Sequence, residues 1–127
     1  MDKTVIRTEA APAPFQGAPY NQAIVAGDLV FVAGQLGLRP GETAVEGDVA
    51  AQTEQALTNL GAILDAAGSS LENLVKTTVF LQRLGDFQAM NEVYAKHVGD
   101  SPPARSTFEV AKLPSGALVE IEAIAHL

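Results

Sequence analysis

The stretch Pro102–Ala125, PPARSTFEVAKLPSGALVEIEAIA, says more about this chain than any other. Its side chains alternate in character. Before the turn-forming run Lys112–Gly116, Ala104, Ser106, Phe108 and Val110 fall on one face of a strand, and Arg105, Thr107 and Glu109 on the other. After it, Ala117, Val119, Ile121, Ala123 and Ala125 share a face, opposed by Leu118, Glu120, Glu122 and Ile124. Paired strands bury like with like, so the pattern predicts a β-hairpin turning at 112–115. In that register Arg105 stands opposite Glu122 and Thr107 opposite Glu120, with direct neighbours about 4.5–5.5 Å apart at Cβ. The expectation is one guanidinium and two carboxylates on a single sheet face.

Outward from this stretch, the elements follow from local signals. Lys3–Arg7 is short and β-branched, which suits an edge strand, and the Ala/Pro-rich run Thr8–Pro19 reads as an extended surface loop. Asn21–Ala26 and Leu29–Leu36 flank Gly27-Asp28 and predict a hairpin. Asp48 reads as the N-cap of a helix over Val49–Ala67, with Val49, Ala56, Leu60, Ile63 and Leu64 on its apolar stripe and Gly68 after its end. Ser70–Asn73 is a helical turn into the strand Leu74–Gln82, whose continuous apolar run suggests burial on both faces. Asp86 reads as the cap of a second helix, Phe87–Val98, ended by Gly99. The order β-ββ-α-β-α-ββ predicts an α+β fold, two helices packed on one face of a mixed sheet of about six strands. The other face is too mixed for solvent and too polar for a core, so it should meet another subunit.

Composition narrows the function. At 127 residues and 13.2 kDa, residues 1–127 are expected to form a single domain. The chain is 47% hydrophobic but only 6% aromatic, which leaves few large side chains to bury and favours burial by oligomerisation. Net charge is −7, and the eight Lys and Arg are scattered, so no nucleic-acid partner is expected. The absence of cysteine removes disulfides, thiolate ligands and cysteine nucleophiles. His97 and His126 have no spacing that suggests zinc ligation or a Ser-His-Asp arrangement, and no metal is expected. No apolar run approaches about 18 residues and the first residues have no leader pattern, so a cytoplasmic protein without membrane contact is expected.

Six segments taken in order carry a family resemblance: PYNQAI (19–24), VAGQLG (32–37), DVAAQTEQALTNLGAILDAAG (48–68), VKTTVFL (75–81), FQAMNEVYA (87–95) and the 102–125 stretch. Together they resemble the RidA/YjgF family of reactive intermediate deaminases, from about Pro19 to Ala125. The resemblance implies a chorismate-mutase-like fold assembled as a homotrimer, with ligand sites between subunits. It also implies a cofactor-independent imine/enamine deaminase. Such an enzyme hydrolyses 2-iminobutanoate and 2-iminopropanoate, released by pyridoxal-phosphate-dependent dehydratases, to 2-keto acids and ammonia.

The resemblance assigns roles residue by residue. Arg105, in PPARS, is the binder of the substrate carboxylate, and the fork of a guanidinium suits that task. Glu120, in VEIEAIA, is the carboxylate that orients or activates water. The residues alone leave open which of Glu120 and Glu122 does so, and Glu122 is read as structural support for the arginine. Tyr20 lines the pocket, Gly34 and Gln35 bring backbone close to the ligand, and Asn91 and Thr107 complete the substrate-binding set. Ala33 stands where the family commonly has serine, and Thr107 where several members have cysteine. Two other readings remain open: a non-catalytic trimer that binds a keto acid or other carboxylate, and an endoribonuclease or translation inhibitor, as some members have been described. The acidic balance argues against the latter.

Overall fold

Gly27, at φ +61°, supplies the left-handed residue of a tight turn, and there β2 (Ala23–Ala26) folds back on β3 (Leu29–Leu36). The computed structural model describes residues 2–127, and β1 (Lys3–Ile6) joins this hairpin from the sheet edge. Asp48 then caps α1 (Val49–Ala66), its carboxylate accepting the Ala51 N–H at 2.9 Å. A short helical turn at Leu71–Asn73 feeds β4 (Leu74–Leu81). α2 (Phe87–Val98) follows; Asp86 occupies its boundary as expected but makes no side-chain capping bond, because a turn of 3-10 helix over Leu84–Asp86 already leads into it. β5 (Ala104–Glu109) and β6 (Val119–His126) complete one six-stranded mixed sheet in the order β1-β2-β3-β6-β4-β5. No helix among the described residues is long and apolar enough to cross a membrane.

The predicted hairpin between β5 and β6 does not form. β5 runs parallel to β4 on one side, and β6 lies antiparallel to β4 on the other, inserted against β3. Burial explains the choice. Val119, Ile121, Ala123 and Ala125 of β6 are all buried at the sheet centre, whereas the shorter, half-exposed β5 suits an edge. The segment 110–118 carries the chain across the end of β4 and is stitched to it. Val110 N–H donates to the Leu81 carbonyl at 2.9 Å, Gln82 N–H to the Leu118 carbonyl at 3.0 Å, and Leu113 N–H to Gln82 Oε1 at 2.9 Å.

Insertion of β4 between the two strands reverses the predicted face sharing. Thr77 of β4 is level with Arg105 on one side and Ala123 on the other, and this row faces the helices. Phe80 is flanked by Phe108 and Glu120, and that row faces away from them. The core lies between the sheet and the helices: Val30, Val79, Leu81, Val119 and Ile121 meet Leu57, Leu60, Ile63 and Leu64 of α1 and Met90 of α2. β4, expected to be covered on both faces, buries Leu74, Thr77, Val79 and Leu81, while Lys76, Thr78 and Phe80 stay half-covered. On that open face Phe31 is 43% exposed and Phe108 51%.

Candidate functional site

The site begins at an irregularity. The register of β3 against β6 shifts between Val32 and Gln35, which places an extra residue at Ala33-Gly34. The bulge brings Gly34 against Glu120: a Cβ at residue 34 would lie 2.1 Å from Glu120 Oε2. Glycine is therefore what lets the carboxylate lie on the backbone. Glu120 is half-buried, and burial pushes its carboxyl above the usual carboxylate range, with the charge of Glu122 adding to the effect. It ends in a cleft of about 360 Å³ walled by Tyr20, Phe15, Leu36, Leu38 and Pro114, with Gly34 at its base. The Tyr20 hydroxyl accepts the Phe15 N–H at 2.6 Å and keeps its own proton to donate. Gln35 also lines the cleft, but its Nε2 turns back to the Ala33 carbonyl at 3.1 Å and braces the bulge.

Sequence reasoning missed two supports of this cleft. Gln22 is buried and ties down the Ala/Pro-rich loop, accepting the Thr8 N–H at 2.7 Å and donating to the Pro12 carbonyl at 2.8 Å. Asn59, also buried, donates to the carbonyls of Leu36 and Leu38 at 3.2 and 2.8 Å and so fixes the strand end beyond the bulge. A buried amide inside an apolar helix stripe was the available signal for Asn59.

The remaining predicted residues gather elsewhere, where β5 and α2 meet. Arg105 packs with its guanidinium carbon 4.8 Å from the Tyr94 ring centre and 5.5 Å from that of Phe87. The buried Thr77 and Tyr94 hydroxyls are 2.6 Å apart. Burial raises the pKa of Tyr94, against lowering by the Thr77 hydrogen bond and by the charge and hydrogen bonding of Arg105. Asn91 lies on α2 between Phe87 and Tyr94, and its Oδ1 is buried with no donor among the described residues. Thr107 points the same way as Arg105, one repeat along β5, and is half-buried.

Arg105 and Thr107 thus do not share a face with Glu120, contrary to the hairpin reading, because β4 separates their strands and shifts the parity. Arg105 forms no ion pair with Glu120 or Glu122; the ion pairs among the described residues are Arg39–Glu46 and His97–Glu54. Glu122 is not the arginine's support: it lies exposed on the open face, level with Thr78 and Ser106, where Lys76 Nζ donates to Ser106 Oγ at 3.0 Å. The predicted residues therefore form two groups on one chain. Tyr20, Gly34, Gln35 and Glu120 make an acidic cleft; Asn91, Arg105 and Thr107 make a cationic edge.

The profile of the family described as Endoribonuclease L-PSP matches residues 8–127. A RutC family protein of Pyrococcus horikoshii is 52% identical over 98% of both chains. The chloroplastic Reactive Intermediate Deaminase A of Arabidopsis thaliana is 51% identical over 100% of this chain and 67% of its own length. The 2-iminobutanoate/2-iminopropanoate deaminase of Capra hircus is 45% identical over 97% and 89%. Among solved structures, RidA from an Antarctic Psychrobacter superposes with a TM-score of 0.93 at 40% identity, covering 98% of this chain and 99% of its own. TdcF of E. coli, solved with bound serine, superposes with a TM-score of 0.89 at 38% identity over 98% of each chain. With that coverage at that identity, and the same sheet and helices, the chain belongs to the RidA/YjgF family.

Proposed function

We propose that the protein is a deaminase of 2-imino acids, active as a homotrimer whose sites each join the acidic cleft of one subunit to the cationic edge of the next. The carrying observation is the separation of two complementary groups on one chain: a half-buried carboxylate without a cation, and an arginine without an anion. Two different patches that meet between copies make a head-to-tail contact, which closes into a ring of three where the rotation between copies is a third of a turn. The names of the relatives support the substrate class, and the serine bound to TdcF is a small α-carboxylate ligand of the kind this site would take.

The chemistry asks little of the protein. Arg105 of the neighbouring subunit takes the substrate carboxylate on its N–H fork. Water between Glu120 and the imine carbon gives a proton to Glu120 as its oxygen bonds to that carbon; a raised pKa makes Glu120 a better acceptor. Glu120 passes that proton to the nitrogen, which gives the carbinolamine; the carbinol O–H proton then moves to the nitrogen through Glu120, the C–N bond breaks, and nitrogen leaves as ammonia while the carbon becomes the keto carbon. Asn91 Oδ1 offers an acceptor to the nitrogen's N–H, and the Tyr20 hydroxyl a donor to an oxygen.

The test is ammonia release from imines generated in situ by a threonine or serine dehydratase. The parent protein should accelerate it, and Arg105→Ala and Glu120→Gln should each lose about a hundredfold or more. Full activity in Arg105→Ala would sink the carboxylate-clamp mechanism. Thermal stabilisation by 2-oxobutanoate without any acceleration would assign the protein to ligand binding instead.

A further inference from the structure

The guanidinium of Arg105 lies over two aromatic rings. Tyr94 and Phe87 lie 4.8 and 5.5 Å from its central carbon, within the range of cation–π attraction. Contacts of this kind leave the charge un-neutralised, and the five N–H donors of a guanidinium exceed what one tyrosine hydroxyl can take. A carboxylate partner would grip the same group by its edge and compete with an incoming carboxylate. The acidic residue of β5, Glu109, does not compete, since its Oε1 accepts the Leu84 N–H at 2.9 Å. Behind the platform, Thr77 stands level with Arg105 in the neighbouring strand and bonds the Tyr94 hydroxyl at 2.6 Å, with the two residues 0% and 5% exposed. That bond anchors the far end of the ring. β4, α2 and β5, consecutive in the chain, thus supply the anchor, the platform and the cation.

We propose that Tyr94, anchored by Thr77, and Phe87 are positioning residues that hold the Arg105 guanidinium over their rings, so that carboxylate affinity depends on this aromatic surface. The proposal rests on the reading of Arg105 as the carboxylate clamp. It explains why an aromatic pair flanks this arginine: the pair orients the charge without neutralising it. The contribution belongs to binding more than to the chemical step, because the carboxylate keeps its charge throughout the reaction and is gripped equally in ground and transition states.

The experiment measures 2-oxobutanoate affinity by calorimetry, and KM and kcat in the coupled assay, for the parent and four variants. Tyr94→Leu and Phe87→Leu should each weaken 2-oxobutanoate and raise KM by about twofold to thirtyfold, with kcat nearly unchanged, the span of one cation–π contact. Tyr94→Phe, which keeps the ring but loses the Thr77 bond, should fall between the parent and Tyr94→Leu. Arg105→Ala should lose binding altogether. Parent-like affinity in both leucine variants, with Arg105→Ala still defective, overturns the platform and spares the clamp. Parent-like affinity in Arg105→Ala overturns the clamp and the platform with it. Phe87 is 39% exposed, so its replacement does not threaten the core. If Tyr94→Leu fails to fold, Phe87→Leu decides the matter alone, and unchanged affinity there overturns the proposal.

Discussion

A methyl group added at residue 34 would occupy the space that Glu120 Oε2 now fills, at 2.1 Å. Since the obstacle is the end of a flexible side chain, the chain should fold and the carboxylate should move. Gly34→Ala is therefore expected to keep its melting temperature within a few degrees while losing about a hundredfold in kcat/KM, the scale of a 1 Å misplacement. Steady-state kinetics beside a thermal melt would check this. Glu122 acts on the same carboxyl through its charge, which adds to the rise in the Glu120 pKa caused by burial. The active form is the carboxylate, so activity should fall as the pH drops through that raised pKa. Removing the neighbouring negative charge in Glu122→Gln lowers the Glu120 pKa and should move the acid limb of the pH–kcat/KM profile to lower pH. An unmoved limb would mean that another group sets it. Arg105 and Glu120 could be singled out in the sequence through the motifs around them. The bare contact of Glu120 with Gly34 was not, because it depends on a bulge that strand alternation does not encode.

At the scale of elements, what was legible was local. Gly27-Asp28 between two apolar runs and Asp48 before an apolar stripe each state a turn or a cap within a few residues, and both form as read. The pairing of β5 and β6 is not a local matter. Proximity in the chain favoured a hairpin, but burial of four apolar residues of β6 at the sheet centre outweighs it. The segment that makes this possible is held at Gln82, whose side-chain oxygen satisfies the N–H of buried Leu113 at 2.9 Å. Gln82→Ala removes that acceptor and should cost about 1–3 kcal/mol, the penalty of an unpaired buried donor. Urea unfolding monitored by circular dichroism would show a lower midpoint with unchanged slope.

At the scale of the molecule, the proposed function makes assembly a condition of activity, because the two groups of candidate residues lie at separate places on one chain. Co-expressed Arg105→Ala and Glu120→Gln chains, each inactive alone, should regain activity in mixed rings, because about a quarter of head-to-tail contacts then join two intact patches. Mixtures as inactive as the separate variants would exclude a shared site. Mixed polarity in the sequence marked out the half-covered sheet face, whereas the division of the predicted residues into two groups was hidden by the error in strand pairing. The strand order carries one more consequence, for synthesis. β6 follows every other strand in the chain yet lies between β3 and β4. Until it emerges, β1–β3 and β4–β5 are two ribbons with no backbone hydrogen bond between them, each presenting a bare edge to whatever else is nascent nearby. The last strand to be made closes the sheet and brings Glu120 with it, so a half-synthesised chain has neither a finished core nor a cleft.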